Sequence, residues 1–591
     1  MTFIGYDLTL TLDADQKKAR RHLLELYPLI AQWSALAIFA LFQLSYTLSW
    51  LSKRGLDYER PRSPSFNKCR DGSWAWLRKS QQGWDRMLWW MQKPVISSWG
   101  TRGEWVGGGI WTTWLLYLCI ANTGNDYLHL TKRFGIIGAS QLPLHYLLAM
   151  RSPYSPVQWL TRLSHEQLKA SHQISGRIIY FFFILHTVFY TGFFISAGVL
   201  GKRIKDKDVI LGLISIILFT ILSTTALQRV RRWNYPVFFI SHVVLANVVL
   251  VSLWFHVTHI RLYILETIVV NAVHQILRYR SLKAFSGTIE LLPGTNLVQI
   301  RIPLTSMNAA LAWKPGQHVY LSRPTGKAYS AALSDQFLLR NQTNPFTVAS
   351  IPVKDKELLL VARTINGNTK KLAELARSLS NTEDGPPNIP LTLEGPYGAS
   401  THLPDFSTFD NILLVAGGVG ATFVVPIYRS IIEFHDAGHA GRPHVRFIWA
   451  VKKQADTQWA FTSPSPTASA ELEGATMSHR SSGVEVYVTR PSGAALHIAE
   501  SGEEMELAEF AENDELLSAE EQREQPRKGI ELKTGRPNIS AIVDQVFSKG
   551  SRIAVVSCGP RSLTRKLSSS VEQWVVHHDV QVYYHEETFG W

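Results

Sequence analysis

Cysteine is nearly missing from this chain: three in 591 residues, Cys69, Cys119 and Cys558. Cysteines so few and so scattered exclude a disulfide framework and a cysteine-built zinc site. Charge is also thin, 18% of residues against 46% hydrophobic, and the average hides two unlike halves. Up to about residue 280 there is one long apolar run after another; beyond it the composition is that of a soluble α/β protein. The opening stretch "MTFIGYDLTLTLDADQKKARR" lacks the apolar core of a cleavable signal peptide, so the first apolar span is expected to act as the targeting signal. A net charge of +13 would suit nucleic acid, but Lys and Arg sit mostly in short loops between the apolar runs. That is the pattern of cytoplasmic membrane loops, and no nucleic-acid partner is expected.

A helix needs about 20 apolar residues to cross a bilayer. Seven stretches qualify approximately: 28–50, 105–123, 134–150, 174–196, 209–227, 236–256 and 260–277, the third short and holding Pro143. Loop 51–104 carries eleven Lys and Arg, and "LQRVRRW" and "LRYRSLK" flank later spans. These place that loop and the C-terminal half in the cytoplasm and residues 1–27 outside as a tail. "KKARR" and "GKRIKDKD" would then lie outside, against the rule.

Two spans hold histidines where lipid-facing helices would not. His172 and His186 are fourteen apart, and so are His242 and His256. Fourteen residues rise about 21 Å and return to within about 40° of one face. The two spans run the same way, so the spacing pairs His172 with His242 near the cytoplasm and His186 with His256 near the outside. Two imidazoles at each depth make the ligand set of a bis-histidine haem, whereas zinc or copper would want three or four donors at one level. A buried membrane histidine can also be a hydrogen-bonded core residue; the matched spacing on parallel helices argues for function. His145 and His274 read as structural, His165 as solvated, and His259 breaks the spacing.

From residue 285, "FSGTIELLPGTNLVQIRIP" alternates as paired strands, followed by "WKPGQHVYL", "NPFTVAS" and "LLLVARTINGNTKKL". "NILLVAGGVGATFVVPIYRSII" (411–432) is an apolar strand, a glycine turn and a helix, a form that lets backbone N–H groups approach a pyrophosphate. "IAVVSCGPRSL" (553–563) reads as the far edge of the same sheet. Residues 461–533 are acidic and poor in aromatics, a disordered insert broken by the strand-like "GVEVYVTR".

Together these motifs resemble, in their order, the fungal ferric/cupric reductase family, relatives of the NADPH oxidases. "SHQISGR", the paired histidines, "WKPGQHVYL", "NPFTVAS", "EGPYG", "AGGVGAT", "SCGP" and "HEETFGW" carry the resemblance. It implies a multidomain membrane protein: a transmembrane helical bundle of about seven helices (28–280), a ferredoxin-reductase-like β-barrel FAD domain (285–405) and an α/β NADPH-binding domain (406–591). It implies two b-type haems on His172, His186, His242 and His256. Pro345, Phe346 and Thr347 would cradle the flavin, and Arg363 with Thr369 would hold the FAD pyrophosphate. Gly417, Gly418, Gly420 and Thr422 would bind NADPH phosphates, Cys558 and Gly559 would lie beside the nicotinamide, and Phe589 or Trp591 would stack on the flavin. The chain departs from the family at Asn344, where a histidine is usual, and at Gln173 and Ile174, where Arg-Trp is usual.

The expected function is electron transfer from cytosolic NADPH through FAD and two haems to external ferric or cupric chelates, for metal uptake. The expected place is the plasma membrane, with the vacuolar membrane as alternative, and the expected partners are lipid and the metal chelates. No protein acid, base or nucleophile is required. Rival readings are a superoxide-generating NADPH oxidase with the same wiring and a non-catalytic haem membrane protein.

Overall fold

The computed structural model describes residues 2–3, 5–8, 12–58, 75–93, 95, 101–152, 154–304, 313–322, 344–365, 368–380, 387–398, 403–436, 443–461, 483–490, 530–550, 552–578 and 580–587. Phe589, Trp591 and most of the expected insert (462–482 and 491–529) lie outside the described residues. The chain divides into two compact units at residues 280 and 281.

The first unit opens with a hairpin, β1 (Thr2–Phe3) and β2 (Tyr6–Asp7), and is otherwise helical. Its helices are α1 (Ala14–Trp33), α2 (Ala35–Tyr58), α3 (Ala75–Gln92), α4 (Arg102–Ile120), α5 (Tyr127–Ser140), α6 (Leu142–Leu148) and α7 (Pro156–Thr161). α8 (His165–Ser196), α9 (Leu200–Arg203), α10 (Lys207–Thr225), α11 (Gln228–Trp233), α12 (Tyr235–His256) and α13 (Arg261–Ser281) follow. Five helical stretches among the described residues are long and apolar enough to cross a membrane: 14–48, 165–196, 207–225, 237–256 and 258–281. Ile110, Val188, Ile217, Val251 and Val269 are each more than half exposed, apolar surface that lipid would cover.

Three sequence expectations change here. The span at 134–150 is two helices, because the chain breaks at Gln141 with Pro143 at the start of α6. The N-terminal 27 residues are not a tail. α1 starts at Ala14, where Asp13 and Gln16 form a reciprocal cap. His165 is not a solvated loop residue but the first residue of α8, capped by Ser164 and Gln167, with Nδ1 enclosed.

α12 and α13 run in opposite directions: Arg261 Nε donates to the Trp254 carbonyl and Asn271 to Asn247 Oδ1. The end of α13 from which the chain enters the second unit therefore lies at the level of the α12 N-terminus.

The second unit begins with an antiparallel barrel. Its strands are β3 (Leu282–Leu291), β4 (Leu297–Pro303), β5 (His318–Ser322), β6 (Asn344–Thr347), β7 (Glu357–Arg363) and β8 (Ile389–Tyr397), in the order β6-β5-β8-β3-β4-β7. A bridge between Val348 and Leu360 brings the two ends of that order together. Two helices belong to it, α14 (Pro352–Asp355) and α15 (Asn368–Leu379). The α/β part contains β9 (Asn411–Gly417), α16 (Ala421–Asp436), β10 (His444–Val451), α17 (Gln458–Phe461), β11 (Val484–Val488) and β12 (Ile530–Thr534). α18 (Ile539–Phe547), β13 (Arg552–Cys558), α19 (Arg561–His577) and β14 (Gln581–Glu587) complete it. Its parallel sheet has the order β12-β11-β10-β9-β13-β14.

The strand at 553–558 is thus central rather than the far edge, because six of its seven residues are buried and need covering on both faces. The edge is β14. β12, within the expected insert, closes the opposite edge by pairing with β11.

Barrel residues Leu292, Leu297, Leu359 and Val361 share one buried cluster with Ile412, Phe423 and Trp449 of the α/β part. Above that joint Arg429 of α16 makes two bonds, 2.7 and 2.8 Å, to Asp355 of α14, both side chains about nine-tenths buried. Removing one partner of a buried pair leaves the other charge uncompensated, at about 3–5 kcal/mol. Asp355→Ala should therefore lower the denaturant midpoint of the second unit without changing the helicity of the first, as read by chemical denaturation followed by tryptophan fluorescence.

At the other edge Glu485 accepts from Arg446 Nε (2.6 Å), Lys533 Nζ (2.8 Å) and the Tyr487 hydroxyl (3.0 Å). Burial alone would raise this carboxyl, but the three donors outweigh it and hold it down to about 2. A carboxyl lowered on folding stabilises above its unfolded value, about 4.3, and loses that contribution as pH falls toward 2. Glu485→Gln should thus destabilise at pH 7 by about 2 kcal/mol, after allowance for solvent screening, and the difference should shrink as pH falls toward 2, which melting at several pH values would show.

Candidate redox-cofactor sites

In the membrane unit α8 and α12 place the four histidines at two depths. The ring centres of His172 and His242 are 6.5 Å apart, as are those of His186 and His256. A ligating imidazole nitrogen lies about 2 Å from its metal, and adding the ring radius for both rings gives about 6.4 Å across one shared ion. Both pairs have the separation that one iron between them would require.

The outward-facing nitrogens are prepared for the same task. Nδ1 of His186 lies 2.9 Å from the Thr131 carbonyl, Nδ1 of His256 2.6 Å from that of Asp208, and Nδ1 of His172 3.1 Å from that of His145. A carbonyl accepts only, so each of these nitrogens carries the proton and leaves Nε2 as the free donor atom. His242 Nδ1 is enclosed with no hydrogen-bond partner among the described residues.

Glycine makes room for the deeper pair. A Cβ on Gly135 of α5 would stand 2.7 Å from His186 Nδ1, and one on Gly212 of α10 would stand 2.8 Å from His256 Cε1. His145, read as structural, stacks on His172 at 4.0 Å and accepts its Nδ1 proton. His274 is structural as expected, its Nε2 accepting from the Arg151 N–H. His259 is exposed in the turn after α12.

In the barrel, β6 brings Pro345, Phe346 and Thr347 opposite Tyr320, Val319 and His318 of β5. The Phe346 side chain belongs to the barrel core, so only its backbone is left for a ligand. Beside them is a group that the sequence reading did not pick out: His318, Tyr320 and Tyr397 pack with ring centres 5.6–6.1 Å apart. Glu394, wholly buried, accepts from the Tyr397 hydroxyl at 3.0 Å. "WKPGQHVYL" holds His318 and Tyr320, and "EGPYG" holds Glu394 and Tyr397, but neither stretch by itself shows that the rings meet. Arg363 ends β7 exposed, and Thr369 lies in the first turn of α15, its hydroxyl accepting from the Ile365 N–H. Between them Thr364 Oγ1 is enclosed without a partner among the described residues. A cation, a free hydroxyl and a helix start make a pyrophosphate-compatible corner.

The third site is where the sheet order reverses, between β9 and β13. Ligands of open α/β sheets bind outside the strand C-termini at such a point. Gly417, Gly418 and Gly420 end β9, while Cys558 and Gly559 end β13. A Cβ on Gly420 would stand 2.3 Å from the Cys558 carbonyl oxygen, so the two turns touch backbone to backbone. Gly418, at φ +55°, faces open space. Thr422 differs from the expected phosphate ligand: its hydroxyl donates to the Val419 carbonyl and is buried. The Cys558 thiol is buried, and burial, with Glu587 and Glu586 nearby, pushes it far up, away from thiolate chemistry.

Helical pairs of histidines, an antiparallel barrel and a parallel nucleotide-binding sheet, in that order, define a membrane oxidoreductase of the flavin and nicotinamide class. Residues 134–253 match the ferric reductase like transmembrane component, 282–401 the FAD-binding domain, and 409–572 the ferric reductase NAD binding domain. The chain belongs to the ferric reductase transmembrane component family.

It is similar to ferric reductase transmembrane component 4 of Saccharomyces cerevisiae, 26% identical over 78% of this chain and 62% of that one. The probable metalloreductase AIM14 of Meyerozyma guilliermondii is 22% identical over 79% and 86%. Ferric/cupric reductase transmembrane component 1 of Candida albicans is 26% identical over 78% and 57%. The chain spans about three fifths of the length of the Saccharomyces and Candida relatives. Among solved structures, a flavohemoglobin from Malassezia yamatoensis aligns over 77% of this chain and 96% of its own, at 12% identity and a TM-score of 0.32. That similarity is too low to carry an argument.

Proposed function

We propose that this chain moves electrons from cytosolic NADPH, by way of FAD and two b-type haems, to ferric or cupric complexes on the far side of the plasma membrane, supplying metal uptake. The observation that carries the reading is the repeated 6.5 Å histidine pair at two depths on parallel helices. The names of the relatives supply the acceptor class. FAD, held in the barrel, would supply the conversion of a two-electron hydride donor into the single electrons that a one-electron acceptor requires, and b-type haems would supply the relay.

The work of the chain is placement. His172 and His242 would hold the inner haem; His186 and His256 would hold the outer one. The carbonyls of Thr131, Asp208 and His145 fix the ring protons, and the Gly135 and Gly212 faces fix the ring positions. Pro345, Phe346 (by its backbone) and Thr347 line the flavin, and Arg363, Thr364 and Thr369 bind its pyrophosphate. Gly417, Gly418 and Gly420 admit the NADPH phosphates, Thr422 keeps their turn closed, and Cys558 and Gly559 border the nicotinamide. No side chain need act as acid, base or nucleophile.

The test is purified chain in sealed vesicles, given NADPH on the nucleotide-domain side and an impermeant ferric chelate on the other. Ferrous product is expected. Superoxide without ferrous product would favour the oxidase reading, and no b-type spectrum would reject both.

A further inference from the structure

The helix that precedes the matched transmembrane component brings a guanidinium to the outer histidine pair. Arg20 of α1 binds Asp126 through Nη1 at 2.9 Å, with both side chains more than four-fifths buried. Its Nε and Nη2 are enclosed and have no hydrogen-bond partner among the described residues. These two N–H groups form one edge of the guanidinium, the parallel fork that a carboxylate fills with two bonds. Asp126 cannot fill it, because its Oδ1 already accepts from the N–H groups of Leu128 and His129 at the start of α5.

More positive charge surrounds the fork. Lys132, half-buried on α5, is within electrostatic range of Arg20 and Asp126. Arg133, wholly buried, is held by the Leu118 and Ala121 carbonyls over the Tyr27 ring. The place is tied to the outer pair from two sides. Tyr190, within range of Arg20 and Asp126, meets the His186 ring at 4.9 Å, and Thr131, adjacent to Lys132, accepts the His186 proton. Buried donors left open are costly, and positive charge buried in excess is costlier still. An anion of matching shape removes both costs.

We infer that Arg20, with Lys132 beside it, is a carboxylate-binding site at the outer face. The inference rests on the proposed function for the origin of its ligand, since two carboxylates could come here: one on the edge of the outer haem, or one on a ferric carboxylate chelate arriving as acceptor. Either is gripped bidentately by Nε and Nη2, so the acceptor or the haem edge is held next to the His186–His256 level.

The test compares Arg20→Lys with the parent, as full chain in nanodiscs carrying FAD and haem. Lysine keeps the ion pair to Asp126 and loses the fork. If the ligand is the acceptor, KM for ferric citrate should rise about tenfold, with KM for an uncharged ferric hydroxamate and the outer-haem midpoint potential unchanged. If it is the haem edge, the outer-haem midpoint should shift and haem should dissociate faster, with both chelates slowed alike. Constancy of all four quantities would overturn the site.

Should the variant not fold, the parent decides. Competitive inhibition by iron-free citrate, or weaker retention of haem dimethyl ester than of haem, supports the site; neither effect overturns it. A parent chain that binds no haem rejects the proposed function instead. In that chain a rise in melting temperature with added citrate would still report the site, and no rise would reject it too.

Discussion

His186→Ala and His256→Ala should each remove the outer haem, roughly halving b-type absorbance, and cut transmembrane ferric reduction by at least about 100-fold. Flavin reduction by NADPH should stay at the parent rate. His172→Ala and His242→Ala should lose the other haem, stopping electrons at the flavin. The physical basis is that each pair shares one site at 6.5 Å, so one imidazole removed leaves a single donor and an apolar gap. Rearrangement cannot replace it, because among the described residues the nearest spare imidazole at the outer level, His259, is exposed on the turn after α12. His274→Ala is the control. Its ring holds the Arg151 backbone, so this variant should lose some stability but no haem. Full b-type absorbance in all four variants would refute the ligand assignment, and loss in His274→Ala would show that absorbance merely follows folding.

The second large effect is expected in the nucleotide domain. Gly420→Ala should slow NADPH-driven flavin reduction by about 30- to 100-fold, the equivalent of about 2–3 kcal/mol for forcing atoms into a filled space. The added carbon would stand 2.3 Å from the Cys558 carbonyl oxygen, a backbone atom in the centre of a buried parallel sheet, which cannot swing aside. The β9 and β13 turns must then separate, opening the floor of the crevice at which the sheet order reverses. Gly418→Ala, two residues earlier, meets nothing within 4 Å and suffers only from φ +55°, about 1 kcal/mol, with an effect of tenfold or less. Stopped-flow flavin reduction by NADPH, with dithionite reduction to show that flavin is bound, separates the two variants. Equal rates for Gly420→Ala and the parent would mean that the touching turns do not form the nicotinamide site.

The histidine pairing was legible in the residues because a helix converts sequence spacing into depth by a fixed rise and turn. Two equal spacings on parallel helices must meet level by level, and His172, His186, His242 and His256 do. The glycine turn after β9 was legible for a similar reason, since it is local in the chain. The span at 134–150 was misjudged because hydropathy counts residues and does not register that Pro143 ends a helix. The order of the sheet was equally out of reach: no local stretch names its neighbours, and only pairing with β9 on one side and β14 on the other makes β13 central.

By itself, then, the chain determined its apolar helices, its two soluble folds and the depth of its four histidines, because each follows from a period or a turn within a short stretch. Tertiary structure alone decided what surrounds those histidines. That Gly135 and Gly212 lie against the rings, that backbone carbonyls of Thr131 and Asp208 take their protons, and that Arg20 reaches Asp126 across 106 residues are contacts between segments far apart in the chain. Close packing sets such contacts, and packing depends on which helices become neighbours, a property that no local spacing encodes.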